Sequence, residues 1–163
     1  MDPQLPVEAS VDTVIQTAIQ LEEMGRDFYL SLVAATGDPT LAAVCRRLAA
    51  EETQHQAAFQ RMRSDLASQG KTFLASDATL AQARQAARNA ILPDSATVAR
   101  LARTGRLADL LNMAIQTEWN AIQFYTALAR HLPPGTAVDS VIQQEQDHLR
   151  ALEAVRRPPT TKL

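Results

Sequence analysis

The chain has 163 residues, 46% of them hydrophobic and 21% charged, with a formal net charge of −2. That length suits one domain with its own core, and this balance of apolar and charged residues excludes an intrinsically disordered chain. The near-neutral charge, with no face basic throughout, argues against a dedicated nucleic-acid binder, and no apolar run reaches the roughly 18 residues of a membrane span. A single cysteine, Cys45, excludes an internal disulfide, a CxxC pair and a Cys-rich zinc or iron site. The opening stretch MDPQLPVEAS has neither a basic head nor an apolar segment, so a cytoplasmic protein is expected rather than a secreted one. Only five Gly are present, and aromatics make up 4% of the chain, so aliphatic residues and Ala must fill a helical core.

The breakers divide the chain into helices. A first helix is expected from about Ser10 to Thr36, with an inner stripe of Val14, Ala18, Leu21, Gly25, Phe28 and Leu32, and Gly37 as its C-cap. Asp38-Pro39 reads as an N-cap followed by proline in the first turn. The second helix then runs to about Gln69 before Gly70, with Leu41, Cys45, Leu48, Glu52, His55, Phe59 and Met62 on one face. Such short punctuation implies an antiparallel hairpin. From 71 to 105 the pattern predicts a helical crossover, in which Asp77 caps a segment ending near Leu92-Pro93 and Ser95 caps another ending near Gly105. A third long helix is expected from about Arg106 to Leu132, stopped by Pro133-Pro134-Gly135. A fourth runs from about Thr136 to Arg156, before Pro158-Pro159. Two helical hairpins joined by one long crossover make an all-α, ferritin-like four-helix bundle, with residues 10–156 as a single domain between short tails.

The two halves repeat. Ala18-x-x-x-Glu22 with Phe28-Tyr29 matches Ala114-x-x-x-Glu118 with Phe124-Tyr125, 96 residues later. Glu51-Glu52-Thr53-Gln54-His55 matches Gln144-Glu145-Gln146-Asp147-His148, 93 residues later. The nearly constant offset marks an internal duplication whose unit is one hairpin.

Six residues of this repeat carry chemistry: Glu22, Glu52, His55, Glu118, Glu145 and His148. Residues three apart share a helix face, so Glu52 with His55, and Glu145 with His148, point the same way. Their neighbours set that direction. Leu48, Ala49 and Phe59 flank the first pair, and Val141, Ile142, Leu149 and Leu152 the second. Glu118 lies among Ala114, Ile115, Ala121 and Ile122, and Glu22 follows Ala18 and Ile19. Glu23 and Glu51, by contrast, have Arg26 and Arg47 at helical neighbour positions and read as solvated faces with weak ion pairs. Unpaired carboxylates facing a bundle interior each cost several kcal/mol or take up protons. Two divalent cations would remove that cost: four carboxylates balance their charge and two neutral imidazoles add ligands. One Glu from each of two helices plus Glu-x-x-His from the other two is the carboxylate-bridged di-iron or di-manganese pattern, and mixed oxygen and imidazole ligation suits Fe or Mn, with Zn a redox-silent substitute. A pair of helix-surface Glu/His contacts would be the plain alternative.

The stretches AIQLEEMGRDFY, LAAEETQHQAAF, AIQTEWNAIQFY and IQQEQDHLRAL resemble the rubrerythrin-like branch of the ferritin-like superfamily, over about Val11 to Val155. The resemblance implies two Fe ions held by Glu22, Glu52, His55, Glu118, Glu145 and His148. It also implies reduction of hydrogen peroxide or O2, and a homodimer. The chain departs from full rubrerythrins in having no Cys-rich rubredoxin-like module, which calls for an external electron donor. It also has Ile115 and Ala121 beside Glu118, where the family carries one more carboxylate. Related ferritins oxidise Fe(II) for storage, so ferroxidase or iron handling is an alternative, and a non-catalytic metal-binding bundle is another.

Tyr29 and Tyr125, the two tyrosines, each lie seven residues after a candidate ligand, Glu22 and Glu118. About two turns keep them on the ligand face, within reach of a carboxylate from the opposite hairpin; the same spacing suits a core tyrosine. Cys45 reads as a small buried hydrophobe. His131 sits at a helix end, where a cation favours the dipole. Trp119 points about 100° away from Glu118 and suits packing or an interface. Arg84, Arg88, Arg100, Arg103 and Arg106 suit a solvated surface or a subunit contact.

Overall fold

The computed structural model describes residues 11–70, 78, 81, 83, 85, 88 and 92–156. Five helices and no strands occur among them: α1 (Val11–Ala35), α2 (Pro39–Ser68), α3 (Ser95–Arg103), α4 (Leu107–Ala129) and α5 (Ala137–Arg156). Residues 78, 81, 83, 85 and 88 of the crossover are also helical. The expected cap Asp77, Arg84, and both tails lie outside the described residues. α1 packs along α2 and α4 along α5, the two expected hairpins, while α3 lies against α1 and α4. No helix among the described residues is long and apolar enough to cross a membrane.

Local chemistry sets the helix ends. Asp38 is extended and accepts hydrogen bonds from the backbone N–H of Thr40 (2.8 Å) and Leu41 (3.2 Å), with Pro39 behind it. Two cap assignments change. Gly37 is not left-handed and does not close α1; the chain passes directly into the Asp38 cap. α3 is capped by Asp94 rather than Ser95: Asp94 accepts from the Thr97 N–H at 2.8 Å, and Ser95 is already the first helical residue. The turn that closes α3 passes through Gly105, whose φ of +74° suits a residue without a Cβ. There the Arg106 N–H reaches back to the Leu101 carbonyl at 2.9 Å and the Gly105 N–H to Ala102 at 3.3 Å, a Schellman closure.

The apolar stripes form two clusters, one towards each end of the bundle. One contains Val14, Ile15, Phe59, Phe124, Leu128 and Val141, and the other contains Phe28, Leu32, Leu48, Leu110, Ile115 and Leu152. Along every long helix the chain passes from one cluster to the other. On α1, α2 and α5 the candidate Glu or Glu-x-x-His lies at that passage, and on α4 Glu118 lies just before it, between Ile115 and Ile122. The expected α2 stripe is buried throughout, whereas Leu21 of α1 is only half-buried.

Replacing either aspartate cap tests this account of the helix ends. Asp38→Ala and Asp94→Ala should each lower the unfolding free energy by about 1 kcal/mol. Ser95→Ala should change it by less than about 0.5 kcal/mol. Urea unfolding followed by circular dichroism measures all three.

Candidate metal centre

Glu22 comes from α1, Glu118 from α4, Glu52 and His55 from α2, and Glu145 and His148 from α5. These six are all of the buried polar or charged residues among the described residues, and none is more than 3% exposed. The structure brings them into one cluster.

The imidazole Nδ1 atoms face the carboxylates. His55 Nδ1 lies 3.3 Å from Glu22 Oε2, 3.2 Å from Glu52 Oε2 and 3.2 Å from Glu145 Oε1. His148 Nδ1 lies 3.0 Å from Glu145 Oε2, 3.4 Å from Glu52 Oε1 and 3.7 Å from Glu118 Oε2. Glu52 and Glu145 thus offer one oxygen to each imidazole, while Glu22 and Glu118 each serve one. The result is two overlapping groups, Glu22–Glu52–His55–Glu145 and Glu52–Glu118–Glu145–His148, whose candidate ligand atoms lie within 4.8 Å of one another. The two imidazoles stack side by side, with centroids 5.3 Å apart and planes 21° apart.

A ring of outer partners holds these groups. The Tyr29 hydroxyl donates to Glu118 Oε1 and the Tyr125 hydroxyl donates to Glu22 Oε1, each across to the opposite hairpin. The Nε2 of His55 meets Gln144 Oε1 at 2.6 Å, and the Nε2 of His148 meets Glu51 Oε2 at 2.9 Å. Glu51 is therefore not the solvated surface residue that its own helix suggests. It keeps a weak contact with Arg47 at 4.0 Å, but its other oxygen turns inward. Gln144 was not singled out in the sequence either. The repeat held the available signal, because Glu51 and Gln144 both directly precede a Glu-x-x-His glutamate.

These contacts define the proton balance. A carboxylate can only accept, so His148 donates a proton from Nε2 to Glu51 and turns Nδ1 towards Glu52, Glu118 and Glu145. Lone pairs facing carboxylate oxygens repel unless a proton or a metal cation stands between them. Burial disfavours the imidazolium of His55, but the hydrogen bonds it donates to Glu145, Glu22 and Glu52 outweigh it and push its pKa up to about 12. His148 is likewise raised, against its burial, by Glu118, Glu145 and Glu52. Burial and the charges of Glu118 and Glu22 push Glu145 up to about 8. Burial and the charges of Glu145 and Glu22 also raise Glu52 well above the usual carboxylate range. Glu118 is lowered: burial opposes its charge, but His148 outweighs that. Burial and the facing carboxylates hold both tyrosines well above the usual phenol value, so they stay protonated donors.

A cavity of about 30 Å³ opens between α1 and α4. All four candidate carboxylates line it, with Gly25 and Ala121, and neither imidazole does. That volume holds one or two water-sized molecules. A Cβ at Gly25 would meet Glu52 at 3.6 Å, an ordinary contact, so Gly25 widens the space beside Glu52 without being sterically required.

The remaining candidates stand apart. Cys45 is fully buried, and burial pushes its thiol up to about 11, as befits a small hydrophobe. His131 belongs to neither ligand group. Trp119 is 47% exposed. Arg88, Arg100 and Arg103 are exposed, and Arg106 pairs with Asp109 at 2.5 Å.

Residues 13–91 match the sequence profile of the Rubrerythrin family. A crystal structure described as that of a ferritin-like diiron-carboxylate protein from Thermotoga maritima superposes with a TM-score of 0.71 at 24% identity, over 94% of this chain and 98% of that one. The chain therefore has a ferritin-like fold. No curated protein sequence matches it.

The proton balance makes the metal-free protein sensitive to pH. Glu145 binds protons more tightly in the folded chain, from its ordinary 4.5 up to about 8, and so does His55 from 6.5 up to about 12. Both contributions are complete below the ordinary values and are lost as pH rises through the folded ones. The melting temperature of the metal-free protein should therefore fall between about pH 5 and pH 9. A melting temperature that rises over that range would contradict this electrostatic picture.

Proposed function

We propose that this chain binds two iron ions and uses them to reduce hydrogen peroxide or O2, with electrons from a separate donor. One observation carries the reading. Glu145 Oε2 and His148 Nδ1 are buried and 3.0 Å apart, yet neither makes a well-aligned hydrogen bond with the other or with any other group. Buried polar atoms are almost always satisfied, so two converging orphans point to a shared cation. The donor set fits: Glu22 and Glu118 would each hold one ion, Glu52 and Glu145 would span both, and His55 and His148 would each add a neutral nitrogen through Nδ1. Mixed carboxylate and imidazole ligation suits Fe or Mn.

Two ferrous ions, when bound, supply the two electrons that convert peroxide to water. The chain's own residues do the rest. The two apolar clusters exclude water from the ends of the polar layer. The cavity lined by Gly25 and Ala121 admits a molecule of the size of O2 or peroxide on the carboxylate side, opposite the imidazoles. Tyr29 and Tyr125 fix one oxygen of Glu118 and Glu22 and leave the other free to ligate. The sequence contains no cysteine cluster that could relay electrons, so re-reduction falls to an external donor.

Anaerobic loading with Fe(II), followed by peroxide, tests the proposal. Rapid oxidation with repeated turnover under an added reductant is expected. Oxidation that ends in an accumulating ferric mineral would favour iron storage instead, and failure to bind two metals per chain would leave a non-catalytic bundle. Glu145→Ala should keep its helical circular dichroism and lose at least one metal; retention of two metals would remove Glu145 from the ligand set. Metal affinity should rise with pH as protons leave the ligands, opposite in direction to the stability of the metal-free form.

A further inference from the structure

The internal repeat is broken at one chemically telling place. His55 and His148 are repeat partners, and each presents Nε2 to the residue that precedes the Glu-x-x-His glutamate of the other half. His148 meets a carboxylate, Glu51, at 2.9 Å, whereas His55 meets a neutral amide, Gln144, at 2.6 Å. A ring N–H that donates to a carboxylate makes a charge-assisted hydrogen bond, roughly twice as strong as one to a neutral acceptor. It leaves the opposite nitrogen richer in electrons and a better ligand. The facing carboxylates are otherwise matched: each Nδ1 sees Glu52, Glu145 and one terminal glutamate. Arg47 does not cancel the difference, because it approaches Glu51 through Oε1 at 4.0 Å while His148 uses Oε2.

We infer that Glu51 and Gln144 are positioning residues that make the two metal positions unequal, so that the position bounded by Glu52, Glu118, Glu145 and His148 fills first and holds its ion more tightly. The inference rests on the two-metal reading above and extends it to residues that touch only the imidazoles. It also gives the duplicated bundle a polarity that its six candidate ligands lack.

Co(II) titration of the metal-free protein, followed by visible absorption and calorimetry, tests this. The natural sequence should bind two ions in distinct steps, and crystals grown with one equivalent should show the anomalous peak beside His148. Partners of this kind change metal affinity by about 10- to 100-fold. Glu51→Gln should therefore weaken the first step by about tenfold or more and merge it with the second. Gln144→Glu should strengthen the second step by a similar factor. Exchanging both residues should restore two steps and move the first ion beside His55, a reversal that mere loss of packing cannot produce. Should Glu51→Gln fail to fold, Gln144→Glu carries the test alone. Two ions bound with an order and affinities that ignore these substitutions would overturn this inference and leave the two-metal site standing. Fewer than two ions bound by the natural sequence would overturn both.

Discussion

The fold is built around a layer of buried charge. Four carboxylates and two imidazoles, none more than 3% exposed, sit at mid-height between two apolar clusters. Burying that many ionisable groups is unfavourable unless each charge meets an opposite one. Protons can supply the balance, which is why both imidazoles and two of the carboxylates hold them so tightly. Divalent cations can supply it better, because a metal ion satisfies several lone pairs at once. The helices around the layer act as rigid supports, and their apolar clusters keep the positions of the six side chains from depending on the charges alone.

The outer contacts extend this logic. Each tyrosine and each imidazole reaches across to the other hairpin, so the two halves brace one another through the polar layer as well as through the apolar clusters. The duplication makes these contacts nearly symmetric. Nearly identical scaffolds can hold chemically different ligands when one outer partner is charged and its counterpart is not. A further asymmetry lies in the cavity, which opens on the side of α1 and α4 and is lined by the carboxylates and not by the imidazoles.

Much of this was legible in the sequence, for identifiable reasons. The long helices are bounded by prolines, glycines and acidic caps, so their ends fall within a few residues of expectation. The six clustered residues stand out because apolar neighbours surround charged side chains at helical spacing, twice. Reach of the tyrosines follows from a seven-residue spacing. What escaped depends on distance in the chain. Glu51 has Arg47 one turn behind it, and nothing on its own helix reveals His148 on another. Gln144 is an unremarkable polar residue until the fold sets it beside His55. The cap expected at Ser95 lies one residue earlier because Asp94 accepts the Thr97 N–H, and Gly37 does not close α1 because its backbone is not left-handed. Gly25 reads as a helix-packing residue, and only the packed bundle shows that it opens a cavity beside Glu52.

The most direct test of the central claim is anomalous diffraction at the iron edge from crystals grown anaerobically with excess Fe(II). Two peaks should appear within the polar layer. One should lie within bonding distance of Glu22, Glu52, His55 and Glu145, and the other within bonding distance of Glu52, Glu118, Glu145 and His148. A single peak, none, or ions bound only on outer surfaces would contradict it.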